Sequence, residues 1–254
     1  MGPGCGSLVA TGVGLLDKML PRGIPRRSLV LLVGEGGAGK SLLAQLMLLE
    51  WARRGWPTVY VSLDDDAETV YSSLRGRGGP LVEELLAQGR VLLVDGFLPR
   101  YGVPVGRWER VETLEPGGLL GRLAELAERR GMSGCGLLVL DSLNPLLLRY
   151  EPTVVYGFVE GLRARLAKRM GVTTVAVLHT PTQLYADIAA TLGHMVDVFI
   201  VVRLHGEAVE AGLPVRQLLV KKAKGVPSAP GWVSFIVTDE GLQEVRLRHA
   251  PAKS

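Results

Sequence analysis

The sequence predicts an α/β fold: a mostly parallel, twisted sheet flanked by helices, with antiparallel strands at its C-terminal edge. Two observations carry this expectation. Short runs of leucine and β-branched residues alternate with segments of helical period along most of the chain, as expected of strands buried on both faces and joined by right-handed crossovers. Towards the C-terminus, strand-like runs follow one another with no convincing helix between them, which suits antiparallel pairing at one edge.

The elements follow in order. Ser28–Gly34 is a continuous apolar run and reads as a central strand, followed by a helix over Ser41–Arg54 that Gly55 ends. Thr58–Leu63 reads as the second strand, Asp66–Arg75 and Leu81–Gln88 as helices, and Val91–Val94 as the third strand. A helix over Gly118–Arg130, ended by Gly131, leads to a buried strand at Leu137–Leu140. Val155, Phe158, Val159, Leu162 and Leu166 recur at helical spacing, which predicts an amphipathic helix over Thr153–Arg169. Thr174–Leu178 and Val198–Val202 are the fifth and sixth strands, and Val215–Lys222, Trp232–Thr238 and Leu242–Leu247 form the antiparallel tail.

Composition bounds the function. A chain of 254 residues, 47% hydrophobic and 21% charged, has the make-up of a globular domain that needs no staples. With no internal repeat and no second compositional block, one domain over residues 1–254 is expected, with residues 1–8 and 249–254 as flexible tails. Cys5 and Cys135 are too few for a disulfide scaffold or a four-cysteine zinc site. The chain has no apolar run of about 18 residues, and Met1–Ser7 lacks the marks of a signal peptide, so the cytoplasm is the expected compartment. A net charge of +4 permits an anionic partner without demanding one. Arginine greatly outnumbers lysine and Asn144 is the only asparagine, which points to a thermophilic source or to high-GC coding.

The chemistry is concentrated in one motif. Gly34-Glu35-Gly36-Gly37-Ala38-Gly39-Lys40-Ser41 matches the Walker A pattern without departure, and it stands between a buried strand and a helix that continues through Leu42. Glycines let backbone N–H groups converge on phosphate oxygens at a helix N-terminus. Lys40, expected on a solvent-facing loop, would reach the β- and γ-phosphates of ATP, and Ser41 would ligate Mg²⁺. Leu137-Leu138-Val139-Leu140-Asp141-Ser142 is the natural Walker B partner, with Asp141 emerging at the C-terminal strand end to hold the Mg²⁺ shell. Asp64, Asp65 and Asp66 follow the second strand at the same edge. Either Asp64 or Asp65 suits the carboxylate that orients an attacking water, and Asp66 suits a helix cap. The longest segment without periodicity is Gly96–Gly117, carrying Arg100, Tyr101, Arg107, Trp108 and Arg110. Such a loop could stack on single-stranded nucleic acid, or it could be a plain surface loop or subunit contact.

Together these residues resemble the KaiC-like branch of the RecA superfamily of P-loop ATPases, of the single-domain archaeal or RadA-paralogue type, from about Val9 to about Val245. Thr11-Gly12 with Leu16-Asp17, then Gly23-Ile24-Pro25, resemble the family's lead-in to the P-loop. Asp64-Asp65 stands where the family usually carries two glutamates, and Val94-Asp95-Gly96-Phe97 resembles its VDAF segment. Lys222-Ala223-Lys224-Gly225 resembles its K-x-R-G segment, and Ile236–Leu242 its ITD-x-G-I ending. The resemblance implies a RecA-like fold, binding of ATP and Mg²⁺, and assembly into a homo-oligomer, commonly a hexameric ring, with ATP at subunit boundaries. It further implies that Lys222 and Lys224 reach a neighbour's γ-phosphate and that His179 occupies a γ-phosphate sensor position. On their residues alone, the lysines equally suit a solvated strand end and the histidine a packed loop. The chain departs from the family in its shorter carboxylates, in lysine for arginine at Lys224, and in a helical rather than glycine-rich segment at Leu184–Leu192. Two functions follow: an ATPase driving conformational change in an oligomer, with DNA as a partner in an accessory recombinase role, or a nucleotide-switched regulatory or scaffold subunit with little hydrolysis and a protein partner.

Overall fold

The computed structural model describes residues 6–238 and 241–246. A two-stranded ribbon opens the chain: β1 (Leu8–Val9) pairs antiparallel with β2 (Ile24–Pro25) around α1 (Gly14–Met19). Leu8, expected in a flexible tail, is therefore held in a strand, and Ser7 also accepts the Arg26 N–H at 3.0 Å. The remaining tail residues, 1–5 and 249–254, lie outside the described residues.

The main chain path runs β3 (Leu29–Gly34), α2 (Lys40–Arg53), β4 (Thr58–Ser62), α3 (Ala67–Gly78), α4 (Pro80–Ala87), β5 (Val91–Asp95), β6 (Glu109–Arg110), α5 (Pro116–Arg129), β7 (Leu137–Asp141), α6 (Asn144–Leu147) and α7 (Pro152–Gly161). It continues through β8 (Thr173–His179), α8 (Gln183–Met195), β9 (Val198–Leu204), α9 (Gly206–Glu210), β10 (Arg216–Ala223), β11 (Val233–Thr238) and β12 (Gly241–Glu244). The predicted helix at Leu184–Leu192 falls within α8, and the predicted last strand is present as β12, with Leu247 outside the described residues.

The ten strands β3–β12 form one sheet in the order β12-β11-β10-β9-β3-β8-β7-β4-β5-β6. Every pairing from β9 to β6 is parallel, while β10, β11 and β12 pair antiparallel at the C-terminal edge. Side chains alternate between two cores, as the strand period requires. Val30 and Leu32 join the core beneath α1 to α4, whereas Leu29, Leu31 and Val33 join the one beneath α5, α7 and α8.

Two expectations need amendment. The predicted helix over Thr153–Arg169 is α-helical only through Gly161; Leu162–Arg169 is a π-helix. Leu162 and Leu166 are buried, and residues four apart stay on one face in either winding, so periodicity does not separate the two. The segment Gly96–Gly117 contains a single 3₁₀ turn at Leu98–Tyr101 and the short β6. Its basic and aromatic residues largely serve one another: Arg107 lies 4.7 Å over Tyr71 and 4.3 Å over Trp108, whose Nε1 donates to Glu68 at 3.0 Å. Among the described residues no helix is long and apolar enough to cross a membrane.

Candidate active site

Parallel register assembles the site. Gly34 at the end of β3 stands opposite His179 at the end of β8, and Ser62 at the end of β4 stands opposite Asp141 at the end of β7. One sheet edge thus gathers the residues that the sequence scatters, at the C-terminal strand ends where ligands bind in such sheets. A cleft of about 340 Å³ opens there, lined by Ser41, Gln45, Tyr60, Asp64, Asp65, Asp141 and His179 among others.

The glycine-rich turn is shaped by close approach. At Gly34, with φ 153°, a Cβ would lie 1.8 Å from the Val202 carbonyl oxygen, so no larger residue fits. Gly39, left-handed at φ 101°, is the N-cap of α2. That helix start has no side-chain cap and no acidic residue in its first turn, leaving its N–H groups and dipole for an anion. Glu35 accepts the Leu204 N–H at 2.6 Å and Arg216 Nε donates to the Gly37 carbonyl at 3.1 Å, tying the loop to β9 and β10. Gly36 and Gly37 are exposed, and Ala38 and Leu42 are buried beneath them.

Lys40 departs from expectation. It is the first residue of α2, only 2% exposed, and not on a solvent-facing loop. Its Nζ donates to the Glu35 carbonyl at 2.7 Å, because the loop folds back over its own lysine. Burial lowers its pKa to about 8, against the pull of Asp141, Glu35 and Asp64.

Across the cleft, Asp141 is buried and its Oδ2 accepts the Tyr60 hydroxyl at 2.5 Å. Its Oδ1 has no hydrogen-bond partner among the described residues. Burial raises the Asp141 carboxyl, with the Tyr60 hydrogen bond opposing it, and burial beside Asp141 pushes the Tyr60 hydroxyl well up. The three successive aspartates divide. Asp64 Oδ2 accepts the Ser142 hydroxyl at 2.5 Å and lies 3.4 Å from His179 Nε2. Asp65 Oδ1 accepts the Asp66 N–H at 2.9 Å, and burial raises its carboxyl. Asp66 caps α3, accepting the Thr69 N–H at 2.9 Å, and that bond holds its carboxyl low. His179 is fixed by Asn144, which accepts its N–H at 2.8 Å and donates to its carbonyl at 2.9 Å.

Lys222 and Lys224 are placed elsewhere. Lys222 pairs with Phe199 near the start of β9, level with Leu31 of β3, roughly 10 Å along the strands from Gly34. Its Nζ donates to the carbonyls of Gly193 and His194, both at 2.9 Å, capping α8. Lys224 is exposed. Sequence reasoning placed Ser142 in the Walker B segment without its bond to Asp64, and it missed Tyr60, Asn144 and Arg216 as site residues. Of these only Tyr60 carried a signal, since a tyrosine in a doubly buried strand needs a partner for its hydroxyl.

The donor set fits Mg²⁺: an orphaned, buried carboxylate oxygen on Asp141 and the Ser41 hydroxyl line one cleft beside the phosphate cradle. A family model described as the ATPase KaiC matches residues 9–246 of this chain. The chain belongs to the KaiC ATPase family. Among relatives, UPF0273 protein MK0039 of Methanopyrus kandleri is 27% identical over 235 residues, covering 92% of this chain and 90% of its own. A UPF0273 protein of Aeropyrum pernix is 29% identical over 234 residues, 92% of each chain. The crystal structure of KaiC-like protein PH0186 from Pyrococcus horikoshii superposes with a TM-score of 0.74 over 94% of this chain and 99% of that one, at 21% identity, a likeness of fold. The protein is thus a KaiC-like, RecA-superfamily P-loop ATPase in family and architecture.

Proposed function

We propose that the protein binds Mg-ATP in the cleft at the C-terminal sheet edge and hydrolyses it slowly, coupling the cycle to conformational change in a homo-oligomer. The observation that supports this best is the convergence of Ser41, Asp64, Asp141 and His179 on one cleft at the sheet edge, with the Lys40 ammonium close enough to feel Asp141 and Asp64. The glycine-rich turn and the start of α2 hold the phosphates, and the Lys40 ammonium neutralises charge growing on the γ-phosphoryl group. Ser41 and Asp141 would hold Mg²⁺, which when bound neutralises the phosphate oxygens. Asp64 orients a water and accepts its proton as oxygen attacks phosphorus and the bond to the β-phosphate oxygen breaks, releasing ADP and phosphate. His179 stands beside Asp64, in a position to read the γ-phosphate.

Asp64 is favoured over Asp65 because its carboxylate faces Ser142 and His179, whereas Asp65 turns to the neighbouring backbone N–H. Asp64→Asn should lower turnover roughly a hundredfold while sparing ATP affinity. Asp65→Asn should leave turnover near the parent value. Steady-state phosphate release decides, and slowing by Asp65→Asn alone would reverse the two roles.

A specific observation favours the second reading, a nucleotide-switched regulatory or scaffold subunit. Asp64 is one methylene shorter than the family glutamate and is tied back to Ser142, which draws it from an attacking water. The ATPase rate with and without single- or double-stranded DNA tests both. Turnover that rises with DNA supports the ATPase with a nucleic-acid partner; a near-zero, flat rate with intact ATP binding supports the switch.

A further inference from the structure

Asp64, Asp141 and His179 bring two carboxylate oxygens and one imidazole nitrogen within 4.8 Å of one another. His179 Nε2 lies 3.4 Å from Asp64 Oδ2 and 3.9 Å from Asp141 Oδ1. Asp141 Oδ1 is buried without a hydrogen-bond partner among the described residues, so the histidine nitrogen faces an uncompensated acceptor. A hydrogen bond does not span 3.9 Å, and leaving such an oxygen bare costs free energy.

We infer that Asp64, Asp141 and His179 form a binding site for a first-row divalent transition metal that fills without nucleotide. Ligand atoms about 2.1 Å from an octahedral ion stand about 3 Å apart, so the observed separations need only modest closure. The side chains of Asp64 and His179 are each about one-third exposed, at 34% and 31%, which leaves room for that closure with the Ser142 bond to Asp64 kept. The nitrogen ligand sets the class. Mg²⁺ takes oxygen ligands and keeps its waters, whereas Mn²⁺, Co²⁺ and Zn²⁺ accept imidazole readily. The second shell is present as well: Tyr60 holds the other Asp141 oxygen, Ser142 donates to Asp64, and Asn144 fixes the His179 backbone.

The inference concerns the cleft already proposed to hold Mg-ATP and rests on that reading only for its place beside the phosphate cradle. Its test therefore needs no turnover. Mn²⁺ alone is titrated into nucleotide-free protein by calorimetry, and the bound ion is examined by pulsed electron paramagnetic resonance for coupling to a nitrogen nucleus. The expected result is one Mn²⁺ per chain with a resolved nitrogen coupling. His179→Ala should abolish the coupling and weaken Mn²⁺ binding roughly tenfold or more, with its melting curve confirming that it is folded. Asp64→Asn should weaken binding but keep the coupling, and it decides the question should His179→Ala fail to fold. No Mn²⁺ binding without nucleotide, or bound Mn²⁺ without nitrogen coupling, overturns the inference. ATP binding measured on the same protein separates the two readings. ATP binding with no nitrogen coupling sinks the metal site alone, and a nitrogen-coupled Mn²⁺ with no ATP binding sinks the ATPase alone.

Discussion

Replacing Lys40 with methionine is expected to abolish Mg-ATP binding by calorimetry and to raise the melting temperature of the nucleotide-free protein. The two effects share one cause. Lys40 is an ammonium buried at the first turn of α2 and held by a single carbonyl at 2.7 Å. Burial lowers its pKa from 10.5 to about 8, which corresponds to about 3 kcal/mol of unfavourable charge burial at neutral pH. Methionine keeps much of the volume without the charge, and loss of the Glu35 contact returns about 1 kcal/mol of that gain. The net gain of about 2 kcal/mol should raise the melting temperature by roughly 4–8 °C for a chain of this size. Because the folded-state pKa is lowered, the folded protein binds fewer protons than the unfolded chain between about 8 and 10.5. The penalty is therefore full below about 8 and is relieved as pH rises towards 10.5, so parent and variant should converge over that window. ATP affinity of the parent should fall over the same range, since phosphate attracts only the protonated lysine. Unchanged ATP affinity in the variant would remove the P-loop assignment, and a lower melting temperature would mean that the buried ammonium stabilises the fold.

The burial of Lys40 also marks where sequence reading ends. Gly34–Ser41 and Asp141 were legible because the chemistry sits at fixed spacing on strand ends, and parallel register then carries it to one edge. The same holds for the alternation that predicts the sheet and for the antiparallel tail. What was illegible depends on contacts between distant segments: Ser142 on Asp64 spans 78 positions and Asn144 on His179 spans 35. Two segments that carried the family resemblance are explained by packing. Asp17 accepts both Thr11 donors at 2.7 Å and the Gly12 N–H at 3.0 Å, locking the lead-in turn. Asp95 is buried and accepts the N–H groups of Ala67, Phe97 and Leu98, fixing the start of α3 and the turn after β5. Neither residue lines the cleft, so the recognisable parts of the sequence are partly architecture.

The second large effect is expected from subunit mixing. Lys222 and Lys224 lie towards the opposite end of β9 from their own glycine-rich turn, roughly 10 Å or more along the strands, so neither serves its own phosphate cradle. Lys222 is committed to the carbonyls that end α8, and Lys222→Ala should chiefly destabilise the protein. Lys224 is exposed, which makes it the better candidate for completing a neighbour's site. Lys224→Ala should lower turnover roughly a hundredfold, as loss of one cation at a developing phosphoryl charge does, while leaving ATP affinity intact. Lys40→Met should be inactive for want of ATP. Mixed in equal amounts and allowed to exchange, the two variants should regain activity, because about one quarter of head-to-tail boundaries would join an intact P-loop to an intact lysine. Light scattering with ATP comes first, since a strict monomer ends the argument before any mixing. In an oligomer whose exchange is demonstrated by energy transfer between labelled subunits, failure to regain activity would mean that Lys224 does not act across the boundary, and the residue would then be a cation for an anionic partner at that edge.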